Sequence, residues 1–128
     1  MPELRPRESV ILAENFDALV EWYQAVLGFK DTFSVSDDYN YAVLENSSGI
    51  RIGIASAEQM GVAPADRTKN TVLLQVEVPD VKEFFDHLQK HEGGAIFGPS
   101  YDKKGQFWYG GFHDLEGNPF WVVDENTP

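Results

Sequence analysis

The chain alternates between short apolar runs and two longer stretches in which apolar residues recur with helical periodicity. Residues 8–13 form a short run rich in aliphatic side chains, which predicts a strand. In the next segment apolar residues recur every three or four positions until Gly28, and this pattern predicts an amphipathic helix that Gly28 ends. Either Asn15 or Asp17 suits its amino-terminal cap. The apolar positions of this helix are Phe16, Leu19, Val20, Tyr23, Val26 and Leu27.

Three strands are predicted after this helix, because runs of β-branched and aromatic residues follow one another with turn residues between them. They cover residues 29–36, 39–45 and 50–55. In the third strand alternate isoleucines share one face, which leaves Arg51 and Gly53 on the other. Residues 56–70 show no sustained pattern, and Gly61 and Pro64 within them favour a connecting segment.

The second half of the chain repeats this order of elements. Residues 71–78 predict a strand, and Pro79 or Asp80 begins a helix that ends near Glu92-Gly93-Gly94. Three further strands are predicted at residues 95–97, 106–113 and 118–124. We therefore predict a single α+β domain over residues 1–128, built from two strand–helix–strand–strand–strand modules at about 8–55 and 71–124 with a linker at 56–70.

Related turns precede the last strand of each predicted module. Asp114-Leu115-Glu116-Gly117-Asn118 lies between two apolar runs, and Asn46-Ser47-Ser48-Gly49 has the same place in the first half. Tight hairpin turns require a left-handed backbone conformation, which Gly117 or Asn118 accepts most easily. Each module is therefore expected to close with a hairpin.

Composition and charge narrow the classes of function. The 128 residues are 42% hydrophobic, which is enough for a globular core. A net charge of −11 argues against a nucleic-acid partner, and it either serves solubility or attracts a cationic ligand. Without cysteine there is no disulfide, thiolate metal ligand or cysteine nucleophile. No signal peptide or membrane span is predicted, so we expect a cytoplasmic protein.

Three sequence motifs occur in a characteristic order. They are Glu21-Trp22-Tyr23-Gln24-Ala25-Val26-Leu27-Gly28-Phe29, Val76-Glu77-Val78-Pro79-Asp80-Val81 and Phe112-His113-Asp114-Leu115-Glu116-Gly117-Asn118-Pro119. With these motifs in this order, the chain resembles members of the vicinal oxygen chelate superfamily over residues 8–124. This superfamily is also called the glyoxalase/bleomycin resistance protein/dioxygenase group. The resemblance implies two βαβββ modules that form a curved, partly closed mixed sheet, with helices outside and a ligand cavity inside.

The resemblance also implies where a metal would be bound. Metal-using relatives place mostly His and Glu ligands on inner strands, where a divalent ion polarises a bound oxygen or stabilises an enolate. The matching positions in this chain are Glu8, Gly53, Leu73 and Trp121. One carboxylate cannot hold a catalytic metal, and Leu and Trp cannot ligate. We therefore expect an apolar, aromatic-lined pocket without metal, cofactor or assigned catalytic residue.

Strand alternation predicts that Arg51, Leu73, Gln75 and Trp121 face this cavity. Arg51 is either half of a structural ion pair with Glu8 or an anchor for an anionic group of the ligand. Trp108, in an aromatic cluster with its neighbours and Trp121, either clamps a flat or cationic ligand or packs in the core or a dimer interface. The predicted ligand-binding residues are Glu8, Arg51, Leu73, Gln75, Trp108 and Trp121.

The three histidines are not assigned to catalysis. His87 and His91 are four residues apart, a spacing that suits a metal, but no third ligand is predicted and a solvated helix end accounts for them. His113 directly precedes the Asp114 turn, which places it at a strand end rather than in the cavity.

The leading hypothesis is a metal-free protein of the bleomycin-resistance type, an antibiotic-resistance subgroup, that sequesters an aromatic or cationic small molecule in a cup or dimer groove. The resemblance to that subgroup also implies a homodimer. The net charge and the lack of a long apolar run indicate no nucleic-acid or membrane partner. The alternative is a divergent metal-dependent glyoxalase- or dioxygenase-like enzyme that uses Glu8.

Overall fold

The computed structural model describes residues 2–128, and the chain divides into two compact units, one ending at Pro64 and one running from Ala65 to Pro128. Each unit contains one α-helix and one four-stranded mixed sheet, in the order strand, helix, strand, strand, strand. The predicted α+β fold class with two βαβββ modules is therefore confirmed. The boundary between the units lies inside the predicted connecting segment 56–70. No helix within residues 2–128 is long and apolar enough to cross a membrane.

The first unit packs its helix on one face of its sheet. Its elements are β1 (Ser9–Ala13), α1 (Phe16–Leu27), β2 (Lys30–Val35), β3 (Tyr41–Glu45) and β4 (Arg51–Ser56). The strand order is β1-β4-β3-β2, in which β1 runs parallel to β4 and the other pairs are antiparallel. The helix contacts β3 and β4, and the buried side chains there are Ala42, Leu44, Ile52 and Ile54.

The second unit repeats this arrangement. Its elements are a 3₁₀ turn (Arg67–Lys69), β5 (Leu74–Val78), α2 (Val81–Gln89), β6 (Gly94–Asp102), β7 (Phe107–His113) and β8 (Pro119–Asp124). The strand order is β5-β8-β7-β6, with β5 parallel to β8. Helix α2 contacts β6, β7 and β8, and the buried side chains there include Phe112, Phe120 and Val122.

Side-chain caps set the amino-terminal ends of both helices. Asn15 accepts a hydrogen bond from the Ala18 backbone N–H at 3.2 Å, and Asp80 accepts one from Glu83 at 3.1 Å. Gly28 ends α1 in the left-handed conformation, with φ of 73°. Asn15 is therefore the observed cap of the two that the sequence allowed for α1, and Asp80, one of the two residues predicted to begin the second helix, caps α2.

The two predicted turns share one hydrogen-bonding scheme. The Asn46 side-chain oxygen accepts backbone N–H groups from residues 48 and 50, and an Asp114 oxygen accepts them from residues 116 and 118. Gly49 lies three residues after Asn46, and Gly117 lies three residues after Asp114. Each of these glycines has φ of 91°. The left-handed residue of the closing turn is therefore Gly117. The repeat extends from the order of elements to the atoms of the turn.

Strand β6 is the element that the sequence prediction described least well. The prediction covered residues 95–97 only, because Gly98-Pro99 is typical of a strand end. The strand instead continues to Asp102 through two irregularities in its pairing with β7. Helix α2 also ends at Gln89, before the predicted Glu92-Gly93-Gly94, and β5 begins at Leu74 rather than residue 71.

Candidate functional site

A polar cluster lies on the face of the first sheet opposite α1, which is the helix-free face of that unit. Arg51 Nε donates to Glu8 Oε2 at 3.0 Å, and Arg51 Nη1 donates to Glu45 Oε1 at 2.9 Å. The Tyr41 hydroxyl donates to the other Glu8 oxygen at 3.0 Å. Strand register explains one of these contacts, since Glu45 lies directly opposite Arg51 in the β3–β4 pair. Both oxygens of the Glu8 carboxylate are therefore engaged.

Gly53 provides the space in which this cluster assembles. A Cβ at Gly53 would overlap the Tyr41 hydroxyl and would come within 3.0 Å of Glu8 Cγ. The absence of a side chain thus lets Tyr41 and Glu8 meet above the centre of β4. Gly53, which the resemblance aligns with a metal-ligand position, accommodates a hydrogen bond between two other residues.

The cluster shifts the pKa values of two of its members in opposite directions. Burial by itself would raise the pKa of Glu8, but the hydrogen bonds from Tyr41 and Arg51 and the positive charges of Arg51 and Arg7 lower it below its ordinary value of 4.5. Burial, followed by the hydrogen bond to the Glu8 carboxylate and its charge, raises the pKa of Tyr41. Glu8 is therefore held as an anion and Tyr41 as a neutral donor.

An aromatic surface lies on the helix-free face of the second sheet, opposite α2. Trp121 on β8 is 49% exposed and is paired in register with Gln75 on β5 and Gly111 on β7. The Phe97 ring occupies the space above Gly111, where a Cβ would collide with it. We call this the Trp121 surface, and it comprises Gln75, Glu77, Phe97, Tyr109 and Trp121.

Strand pairing extends the Trp121 surface beyond the indole. Glu77 and Tyr109 flank Val123 on neighbouring strands, so both lie on the face that carries Trp121. The ring centroids of Phe97 and Tyr109 are 6.4 Å apart in a tilted arrangement. The surface therefore combines aromatic rings with one exposed carboxylate and one exposed amide.

The structure brings some of the predicted ligand-binding residues together and separates others. Glu8 and Arg51 form an ion pair in the first unit. In the second unit Gln75 and Trp121 are register partners, and Leu73 is half-buried just before β5.

Trp108 lies on the opposite face of the second sheet from Trp121. The Nζ atom of Lys82 in α2 is 4.6 Å from its ring centroid, which places the indole on the helix side. The sequence prediction grouped Trp108 with Phe107 and Tyr109 because they are consecutive, but successive side chains of a strand point to opposite faces. Phe112 likewise lies on the helix side, where it contacts Phe84 at a centroid distance of 4.9 Å.

Tyr41 and Glu45 belong to the polar cluster but were not among the predicted site residues. A usable signal was present in the sequence, because Glu45 and Arg51 flank the Asn46 turn at positions that face each other in a hairpin. The contribution of Tyr41 had no such signal. Its hydroxyl reaches Glu8 only because Gly53 lacks a side chain.

A separate cleft of about 640 Å³ lies at the start of α1 in the first unit. None of the predicted ligand-binding residues lines it. Its walls are polar and acidic, and they are formed by Glu14, Asn15, Phe16, Asp17, Asn40, Ser56, Glu58 and Gln59.

Glu8, Gly53, Leu73 and Trp121, which the resemblance aligns with metal-ligand positions, do not suit a divalent ion. Glu8 is committed to Arg51 and Tyr41, whereas Gly53, Leu73 and Trp121 carry no side-chain atom that binds such an ion. Within residues 2–128, no group of three or more His, Asp or Glu side chains is arranged to hold a metal ion.

Comparisons with known proteins agree with this architecture. The family model described as Glyoxalase/Bleomycin resistance protein/Dioxygenase superfamily matches residues 8–122. A superfamily member from Sphaerobacter thermophilus has a TM-score of 0.78 at 16% identity, with 96% of this chain and 98% of that chain covered. For a glyoxalase family protein from Enterococcus faecalis the values are 0.75, 19%, 93% and 96%.

A third similar structure is a glyoxylase/bleomycin resistance protein/dioxygenase domain from Frankia. Its TM-score is 0.71 at 20% identity, with 95% of this chain and 93% of that chain covered. At these identities the structural likeness concerns the fold alone. No curated protein sequence matched the chain.

Proposed function

This chain belongs to the glyoxalase/bleomycin resistance protein/dioxygenase superfamily, and from that membership we propose that it is a metal-free protein that binds and sequesters a small aromatic or cationic molecule. The observation that carries the proposal is the half-exposed indole of Trp121 on the helix-free face of the second sheet. Metal-using relatives are expected to place a glutamate at this position. An indole cannot replace that ligand, but it offers a flat apolar face for stacking.

Charge supports a cationic ligand. Glu77 is exposed on the Trp121 surface, and the chain as a whole carries a net charge of −11. Aromatic rings attract a cation through their negative faces, and a nearby carboxylate adds to that attraction. A planar aromatic cation therefore matches the chemistry of this surface.

The polar cluster of the first unit supports binding rather than acid–base catalysis. A carboxylate that acts as a general base needs a pKa near the working pH and access to the proton it removes. The pKa of Glu8 is lowered instead, and both of its oxygens already accept hydrogen bonds. Arg51 contacts two carboxylates, which favours its interpretation as a structural charge over an anchor for an anionic ligand.

The proposal is tested by titrating the protein with 9-aminoacridine, a planar aromatic cation, while tryptophan fluorescence and heat of binding are recorded. The wild type is expected to bind, and Trp121→Ala is expected to weaken binding at least about tenfold, because the stacking partner is lost. Trp108→Ala is the matched control, since its indole lies on the helix side. Equal affinity in the wild type and Trp121→Ala would overturn the assignment of this surface.

The alternative function is a divergent metal-dependent enzyme of the glyoxalase or dioxygenase type. Elemental analysis of purified protein distinguishes the two functions. A stoichiometric divalent ion that disappears in Glu8→Ala would contradict the metal-free proposal.

A homodimer is also part of the proposed function. The second unit exposes several large apolar side chains, a feature common at protein interfaces. Those on the helix-free face of its sheet include Phe97 and Trp121. Sedimentation velocity should give twice the mass of the 14.4 kDa chain, and a monomer at every accessible concentration would remove this part of the proposal.

A further inference from the structure

His113 shares the helix-free face of the second sheet with Trp121. It is the last residue of β7 and pairs with Pro119, two residues before Trp121 on the neighbouring strand. Because Gly111 pairs with Trp121 and side chains alternate along a strand, the imidazole projects to the same side as the indole. The two residues are diagonal neighbours, whose Cβ atoms are typically about 7 Å apart, so one small aromatic molecule can touch both.

The backbone fixes the tautomer of this imidazole. His113 Nδ1 lies 2.9 Å from the carbonyl oxygen of Asp114. A carbonyl oxygen only accepts hydrogen bonds, so Nδ1 must carry the hydrogen. In the neutral ring Nε2 then holds an unshared electron pair and accepts hydrogen bonds. The Asp114 carboxylate anchors the turn through two backbone N–H groups, each at 2.9 Å, which holds the carbonyl in place.

The Nε2 atom is available to a ligand. Among residues 2–128 no hydrogen bond to it is formed. Gly94 faces His113 across the β6–β7 pair, and a Cβ there would lie 3.2 Å from Nε2. Gly94 does not have a positive φ, so its backbone conformation is open to other residues. Because residue 94 is glycine, the space beside His113 Nε2 is free of a side chain.

From this geometry we propose that His113 Nε2 is the hydrogen-bond acceptor of the ligand site, and that the ligand is a planar aromatic molecule bearing an O–H or N–H donor. The ring stacks on Trp121 and its donor group reaches Nε2. This assignment rests on the proposed function, and it adds the chemical class of the ligand. An aromatic molecule without a donor binds through stacking alone.

The test compares two probes that differ only in the donor, 2-naphthol and its methyl ether 2-methoxynaphthalene. Affinities of both probes are measured by calorimetry in the same buffer. The wild type should bind 2-naphthol about three- to tenfold more tightly than the ether, the gain typical of one hydrogen bond. His113→Phe should abolish this preference, and Gly94→Ala should reduce it. His91→Phe, at an exposed position two residues after α2, is the matched control and should retain it.

A measurement on the unaltered protein guards against misfolding of the His113 variant. The ¹⁵N resonance of His113 Nε2 should shift with 2-naphthol and stay in place with the ether. Equal affinity of the two probes, with binding that still depends on Trp121, would overturn the role of His113 and leave the proposed function intact. Absence of binding by both probes would overturn the role of His113 and count against the proposed function.

Discussion

At the scale of single residues, glycines decide which side chains meet on the helix-free faces. Gly53 admits the Tyr41 hydroxyl beside Glu8, and Gly111 admits the Phe97 ring beside Trp121. Strand alternation predicted that Arg51 shares a face with Gly53, and the register confirms it. It could not predict which side chain would cross over each glycine, because that depends on contacts between residues far apart in sequence.

Substituting Gly53 tests how much the missing side chain at this position contributes to the stability of the fold. Gly53→Ala should lower the free energy of unfolding by about 1–3 kcal/mol, because the new methyl group overlaps the Tyr41 hydroxyl. Tyr41→Phe/Gly53→Ala should cost less than the sum of the two single changes, since the atom that overlaps most is removed. Urea denaturation of the four proteins measures this coupling, and strictly additive losses would contradict it.

Protonation of Glu8 should reduce stability in acid. Its pKa in the folded protein is lower than the ordinary value of 4.5, so its contribution is complete above that value and is lost as pH falls through the lowered pKa. Glu8→Gln should therefore flatten the decline of the urea midpoint on acidification. Glu3→Gln, in an exposed pair, is the matched control and should follow the wild type. A Glu8→Gln curve parallel to that of the wild type would refute the argument.

At the scale of elements, both helices and the two closing turns were predicted because their signals are local. Caps, apolar periodicity and a glycine after a polar turn residue act within a few positions. The extent of β6 and the face of Trp108 are set by pairing with distant strands, which local patterns do not report. The sequence also gave no indication that the connecting segment is tied to the closing turn by Arg67.

Arg67 should be essential to the stability of the second unit. Its Nη1 donates to Asn118 Oδ1 at 2.7 Å and its Nη2 to Glu116 Oε1 at 2.9 Å, with Arg67 and Glu116 side chains only 10% and 11% exposed. Arg67→Ala should lower the free energy of unfolding by about 2–4 kcal/mol, because a largely buried carboxylate loses this ion pair.

Arg5→Ala provides the matched control for this change. Arg5 pairs with Glu3 at 3.0 Å, but the two side chains are 78% and 72% exposed. Such a surface pair contributes about 0–1 kcal/mol, because solvent screens the charges. Similar losses in the two arginine variants, measured by thermal or urea unfolding, would show that Arg67 does not hold the turn.

At the scale of the whole molecule, the chain keeps the duplicated βαβββ fold of its superfamily. The family match over residues 8–122 confirms the resemblance seen in three short motifs. Gly53, Leu73 and Trp121 could be recognised as unsuitable metal ligands from their identity alone. The Glu8–Arg51 ion pair was one of the two alternatives that the sequence left open. The hydrogen bond from Tyr41 to Glu8 could not be predicted, because it depends on three-dimensional placement.

The central claim is that an aromatic ligand is bound at Trp121, and the indole N–H resonances of the three tryptophans test it most directly. In a ¹H–¹⁵N titration with 9-aminoacridine, the Trp121 resonance should move progressively. The resonances of Trp22, a buried residue of α1, and Trp108, on the helix side of the second sheet, should stay nearly fixed. A stationary Trp121 resonance, or a larger shift at Trp108, would contradict the account.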